Sequence, residues 1–359
     1  MGEAGMGEAG MSVSIIDSVR IIDATTEAFG TAAGHPLSSL FSSPPWIRAL
    51  ADTYGFQISV AVTGDGGEQA AVLFSRVSDL RGERIVSLPF SDYCDPLVED
   101  PATWERLAAP ILAMGLPTTL RCLRCRAAAD DPRFTPTGGA LWHGVDLTRP
   151  EEALWQGLQG SARQNIRKAK RAGVTIREAR GLDAVRLFHR MHCHLRKTKF
   201  RLLAQPAAFF DALHEAFSPA DGLVVLFAMI GDEPVAGILF LEWGDCLYYK
   251  FNASLDPSTC PNDLLAWEGI RLGQRRGRRT LDFGISELRH PGLVRYKRKY
   301  ATEERAVAML RWQPGAAAIN APAEEAGRTL GRLTQLLTDP QVPDAITAAA
   351  GDELYRYFC

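Results

Sequence analysis

Apolar positions along the chain change period repeatedly, and each change marks an element. SSPPWIRALADTYG spaces its apolar residues three and four apart behind a Ser-Pro start, which predicts a short helix. QISVAVTG, QAAVLFSRV and RIVSLPF alternate as strands, broken by the turn sequences GDGGE and LRGER. PATWERLAAPILAMG returns to helical spacing, and TTLRCLRC and ALWHGVDL to strands. EEALWQGLQGSARQNIRKAKRAG reads as one long helix ending at Gly173, followed by the strand VTIREA. Two amphipathic helices follow, LDAVRLFHRMHCHLRKTK and PAAFFDALHEAF. GLVVLFAMIGDEPVAGILFLEWGDCLYYKFNAS then gives three strands joined at GDEP and WGDC. NDLLAWEGIRLGQRRG is a helix with Asn262 or Asp263 as its cap, TLDFG a strand ending there, and RAVAMLRW a last strand.

With 359 residues the chain exceeds one ordinary core, so two domains are expected. Thr148-Arg149-Pro150 marks the predicted boundary. The reading is a tail at 1–11 without fixed structure, domains at 12–148 and 149–315, and a helical tail at 316–359. Strand, two helices, three-strand meander, helix, strand, strand is the element order of the GNAT fold. The first half carries a similar meander and helix. The predicted class is therefore α+β, two tandem GNAT-like domains with mixed sheets flanked by helices.

Composition adds little until charge is followed along the chain. The apolar share of 46% and net charge of −2 are ordinary for a folded protein. The start MGEAGMGEAGM lacks the basic and apolar regions of a signal peptide, and no run of 18 apolar residues exists. These features predict a cytoplasmic protein. Seven cysteines, an odd number, fit free thiols. RCLRC has no second ligand pair, and the cluster HRMHCHL has no accompanying carboxylate, so no metal is expected. Residues 161–200 and 271–299, however, hold 22 of the 40 Lys and Arg. All seven lysines lie between 168 and 299. That segregation predicts a positive surface on the second half and an anionic partner.

SARQNIRKAKRAGV, followed by PNDLLAWEGI, LDFG and GLVRYKRKYA, resembles the Fem-type (FemAB-like) aminoacyltransferases and the related BioF2-like and CelD-like GNAT acyltransferases. LPFSDYCDPLVED resembles the same group's segment in the first half. The likeness spans roughly residues 40–312. It implies transfer of an aminoacyl or acyl group from a phosphate-rich donor to an amine held between the two domains. The acceptor class is a cell-wall precursor, a polysaccharide amine or a small metabolite. By resemblance, Asp92 falls where a carboxylate contacts substrate, and Lys297, beside Tyr296, where the group places an active-site lysine. Asp92 is thus the candidate amine binder or base, and Lys297 the candidate stabiliser of donor phosphate or oxyanion.

Donor binding is assigned to Arg163, Arg167 and Lys168 on the basic helix, with Asn262 and Tyr296. Tyr249 and Asn252, on the strand YYKFNAS, are candidate acceptor contacts. Strict alternation there puts Tyr249 and Phe251 on one face, Lys250 and Asn252 on the other. No bound cofactor is expected, only aminoacyl-tRNA or acyl-CoA as co-substrate. The interval LDPSTCPN has no glycine, unlike the pyrophosphate loop of CoA-dependent GNAT proteins, which favours aminoacyl-tRNA. The long helical arm of Fem-type enzymes is also missing. An alternative is a non-catalytic protein that keeps the fold and binds nucleic acid or another anionic polymer.

Overall fold

The computed structural model describes residues 19–25, 34–63, 70–315 and 321–359, so the tail expected at 1–11 lies outside the described residues. Two stretches of chain share one order of elements, the second with an added helix. The first comprises β1 (Arg20–Asp23), α1 (Pro44–Tyr54), β2 (Gln57–Val62), β3 (Ala71–Asp79), β4 (Gly82–Val86), α2 (Pro101–Leu112), β5 (Thr118–Cys122), α3 (Arg126–Ala129) and β6 (Thr135–Asp146). After α4 (Glu151–Gly157) and α5 (Gly160–Arg171) the second begins. It comprises β7 (Thr175–Ala179), α6 (Leu182–Leu195), α7 (Ala207–Phe217), β8 (Leu223–Ile230), β9 (Glu233–Trp243), β10 (Cys246–Ser254), α8 (Pro261–Arg275), β11 (Thr280–Glu287), α9 (Pro291–Lys297) and β12 (Glu303–Trp312). The helices α10 (Ala321–Leu337) and α11 (Asp344–Leu354) close the chain.

Among the described residues the twelve strands form one sheet, in the order β1-β2-β3-β4-β5-β12-β6-β11-β10-β9-β8-β7. The order reads the same from either end once each strand is exchanged for its counterpart in the other repeat. The last strands are swapped: β12 pairs with β5 of the first repeat, and β6 with β11 of the second. This is a tandem GNAT fold built as a single mixed sheet. Division into domains at 12–148 and 149–315 is a proposal; strands of both stretches enter the one sheet.

Alternation of apolar residues gives the sheet two buried faces. On one face, side chains from both repeats share a core with α1, α6 and α7, including Trp46, Leu73, Phe188, Phe209 and Phe227. On the other face each repeat has its own core. Trp104 and Leu107 of α2 cover the first, and Ile166 of α5 with Leu265 and Ile270 of α8 cover the second. The terminal helices dock on the shared face. Lys197 meets Asp344 at 2.6 Å, and the ring of Tyr355 lies 5.1 Å from that of Phe90.

Three local expectations are corrected. The long helix at 151–173 is two helices, because Leu158 is buried and leaves helical geometry (φ −60, ψ 142), with Gly157 and Gly160 beside it lowering helix stability. Its end is as expected, with Gly173 left-handed at φ +77. Neither Asn262 nor Asp263 caps α8: Cys260 stands at the cap in a left-handed conformation, with Pro261 in the first turn. The strand read as ending at Gly284 continues to Glu287.

Candidate active site

Strands β10 and β11 run parallel from Cys246–Tyr248 and Thr280–Asp282 and then part. Beyond that point each pairs only with its outer neighbour, β10 with β9 and β11 with β6. A loop from the first repeat reaches this fork. It is pinned at several points: the Trp46 indole donates to Ser91 Oγ at 3.0 Å, and Arg121 donates to the Ser91 carbonyl at 3.2 Å. Asp95 accepts from the amides of Leu123, Arg124 and Cys125 at 2.8, 2.8 and 2.9 Å. Phe90 is held left-handed at φ +56. Between these anchors, the Tyr93 hydroxyl donates to Asp282 Oδ2 at 2.8 Å, and Asp92 stands at the fork.

Three charged side chains meet there. Lys250 Nζ lies 3.1 Å from Asp92 Oδ1, and Lys297 Nζ donates to the Ile285 carbonyl at 2.7 Å. Gly284 sits between them, left-handed at φ +69; a Cβ on it would fall 2.5 Å from Asp92 Oδ2 and 3.8 Å from Lys297 Nζ. Only glycine allows this approach. The Asp92 side chain keeps 28% of its surface exposed, whereas that of Lys250 keeps 7%.

The electrostatics follow from burial and proximity. Burial pushes the Asp92 carboxyl up, but Lys250, Lys297 and Arg121 together outweigh it and hold the group below the usual carboxylate range. Burial, aided by Lys250 and opposed by Asp92 and Asp282, leaves the Lys297 ammonium lowered to about 8. Burial also raises Asp282, beyond what its bonds from the Tyr93 hydroxyl and the Gly284 amide recover, and Asp92 adds to the rise. An ionised carboxylate thus faces an amine that can be neutral near physiological pH.

Of the other candidates, Tyr249, Asn252, Asn262 and Tyr296 gather beside the fork, over the core of the second repeat. Asn252 Nδ2 donates to Asn262 Oδ1 at 3.2 Å, and the Tyr296 hydroxyl to the Asn262 carbonyl at 3.3 Å. Burial raises both phenols, so they remain neutral donors. Strict alternation along β10 fails, because a bulge between Tyr249 and Phe251 shifts the register. Tyr249 therefore packs over the core of the second repeat, while Lys250 and Phe251 both turn to the shared face.

The basic helix does not reach the fork. Arg163 is spent inward, donating to the carbonyls of Gln156 and Leu158 at 2.6 Å each, where α4 ends. Arg167 lies 5.7 Å over the Trp155 ring. Together with Lys168, Lys170 and Arg171 it is exposed on α5. Asp263, in the first turn of α8, is occupied by the Tyr300 hydroxyl at 2.6 Å and Lys299 at 3.1 Å.

Asp282 escapes a reading by sequence, looking like a strand end in LDFG, and Lys250, a weaker candidate on YYKFNAS, is given no contact with Asp92; their signals are a strand continued past a glycine and a bulge. A cleft of about 610 Å³ opens on the shared face, with Tyr93, Tyr248, Trp142 and Asp282 toward the fork and Arg124, Asp245 and Arg305 among its lining. Both repeats contribute to it.

Residues 158–298 match the family described as an acetyltransferase (GNAT) domain. No curated protein matches the chain. Among solved structures the chain is similar to FemX, with 14% identity over 84% of this chain and 98% of that one, at a TM-score of 0.63. It is also similar to the C-terminal DUF2156 domain of an Agrobacterium fabrum protein provisionally assigned as a lysylphosphatidylglycerol synthetase (12% identity, 85% and 96% covered, TM-score 0.52). A conserved Bacteroides thetaiotaomicron protein of unknown function matches at 12% identity, 83% and 100% covered, with a TM-score of 0.51. At such identities the likeness carries the fold and not the reaction.

Proposed function

We propose that this chain, a Fem-like GNAT protein, transfers an acyl group to an amine at the fork between β10 and β11. The observation that carries the reading is the meeting of Asp92 and Lys297, from opposite repeats, across Gly284. Asp92 holds the acceptor as its ammonium. Lys297, titrating at about 8, takes the proton from that ammonium, and the freed nitrogen attacks the donor carbonyl. The Lys297 ammonium then stands beside the developing oxyanion and returns its proton to the departing oxygen or sulfur. The tetrahedral nitrogen gives up its remaining extra proton to solvent, so an ammonium and an ester or thioester become an amide, an alcohol or thiol, and one proton. Much of the rate comes from holding the two reactants together.

Tyr249 and Asn252, expected as acceptor contacts, lie with Asn262 and Tyr296, so all four are assigned instead to the donor, whose carbonyl or ribose their neutral donors suit. The acceptor lies on the shared face, toward the cleft formed by both repeats. An aminoacyl group carried on RNA is the favoured donor. Asp263 places a carboxylate in the first turn of α8, where a CoA pyrophosphate would need an open helix terminus. The exposed cations of α5 suit a long polyanion better than a short one.

The test offers the protein radiolabelled aminoacyl-tRNA or acyl-CoA with a panel of amines, beside Asp92→Asn and Lys297→Ala. Label moving from tRNA and lost in both variants is the expected outcome; movement from CoA alone keeps the chemistry and changes the donor. Salt-sensitive tRNA retention without transfer in all three proteins would leave a binding protein and remove the assigned chemistry.

A further inference from the structure

Asp92 has two lysines beside it, and their surroundings differ. Lys250 Nζ lies 4.6 Å from the centroid of Phe41, 5.0 Å from Trp46 and 5.7 Å from Phe251. The bulge in β10 delivers Lys250 and Phe251 to the same face, which is what completes this cage. Ring faces attract a cation and gain nothing from a neutral amine, so the cage and the carboxylate both select the charged form. Lys297 has the opposite setting. Among the described residues no aromatic ring lies within cation–π range of it, its one hydrogen bond goes to the Ile285 carbonyl, and it is 6% exposed.

We infer that Lys250 is a positioning residue: a ring-caged amine that pairs with Asp92 through Oδ1, leaves Oδ2 on the Gly284 and Lys297 side, and thereby releases Lys297 to act as the group that gains and loses a proton. The inference rests on the transfer reaction proposed above and adds a residue to it. Its logic is one of charge. With Lys250 in place, Asp92 is already paired and Lys297 can be neutral. Without Lys250, Asp92 must take Lys297 as its partner, and a locked ammonium cannot accept a proton. The groups facing Lys297 are Asp92 from the loop, Lys250 from β10, Asp282 from β11 and His143 from β6; Arg121 of β5 faces Asp92.

Seven lysines make the test tractable by carbon-13 NMR of the lysine ε carbons, assigned by single Lys→Arg changes in the full chain. In the unaltered protein Lys297 is expected to titrate at about 8. Lys250→Met should move the Lys297 midpoint upward by about one unit or more, as removal of a like charge beside an ion pair does. The neutral fraction of Lys297 at pH 7 then falls about tenfold per unit, and the rising limb of transfer activity moves to higher pH by the same amount. Lys250→Arg should restore the midpoint, and Asp92→Asn should lower it.

A Lys297 midpoint unmoved in folded Lys250→Met overturns the inference. Should Lys250→Met fail to fold, Lys250→Gln takes its place, and an unmoved Lys297 midpoint in Asp92→Asn overturns the inference equally. The two proposals fail separately: midpoints that shift as stated in a protein that transfers no label sink the reaction, whereas transfer with an unmoved pH limb in Lys250→Met sinks only the role of Lys250.

Discussion

The two repeats contain the same fork and fill it differently. Strands β4 and β5 run parallel through only Ile85 with Thr118 and Val86 with Thr119. The chain leaving β4 then returns to close its own gap: Ser87 donates to the Thr119 carbonyl at 2.9 Å, and Cys94 to that of Arg121 at 3.0 Å. In the second repeat the gap stays open to side chains and receives Asp92 from across the sheet. The helices that follow differ in the same sense. Asp100 caps α2, its Oδ1 accepting from the Thr103 amide at 2.8 Å, whereas α8 starts without a side-chain cap. One topology thus yields a sealed copy that supplies a loop and an open copy that receives it. Polar chemistry gathers where backbone hydrogen bonding is left incomplete.

If that division holds, damage to the two copies should read out differently. Lys297→Met, in the open copy, should cut transfer by about 10² to 10⁴-fold with little change in melting, measured by label transfer beside a thermal scan. Leu107→Ala, beneath the sealed copy, should cost about 2–5 kcal/mol in urea unfolding and leave the rate per folded molecule unchanged. Equal losses of rate in the two would erase the distinction. Gly284→Ala should cost about 1–3 kcal/mol, because the residue is left-handed and its Cβ meets Asp92, and it should lose transfer as well; normal activity in that variant would move the site away from the fork. Asn262→Ala removes one neutral hydrogen bond, from Asn252, worth about 0.5–1.5 kcal/mol, and should raise KM for the donor rather than lower kcat.

Much of the architecture is legible because it is local. The meander at 222–254 announces itself by long apolar runs and two tight turns, and α1 and Gly173 by a Ser-Pro start and a glycine end. The features that escape are tertiary. Leu158 breaks a helix because a core needs it, and no local signal says so. The bulge at Lys250 depends on how β10 meets β9, and the exchange of β6 and β12 on strands more than a hundred residues away. The same limit governs the site. Asp92 and Lys297 are named by likeness to a family, but the parts of Asp282 and Lys250 emerge only where β10 and β11 separate.

The exchanged strands also set a schedule for synthesis. β6 is made near residue 140, yet both its neighbours, β11 and β12, lie beyond residue 279. At about 5–20 residues per second a ribosome needs on the order of 10–30 s to supply them. During that interval a twelve-residue strand waits with both edges unpaired, a template for joining the same strand on a neighbouring nascent chain. Gly138 and Gly139 near its start weaken it as such a template. A chain built this way acquires its first complete sheet only when nearly all of it has been made, and its yield in cells should depend on what shields β6 until then.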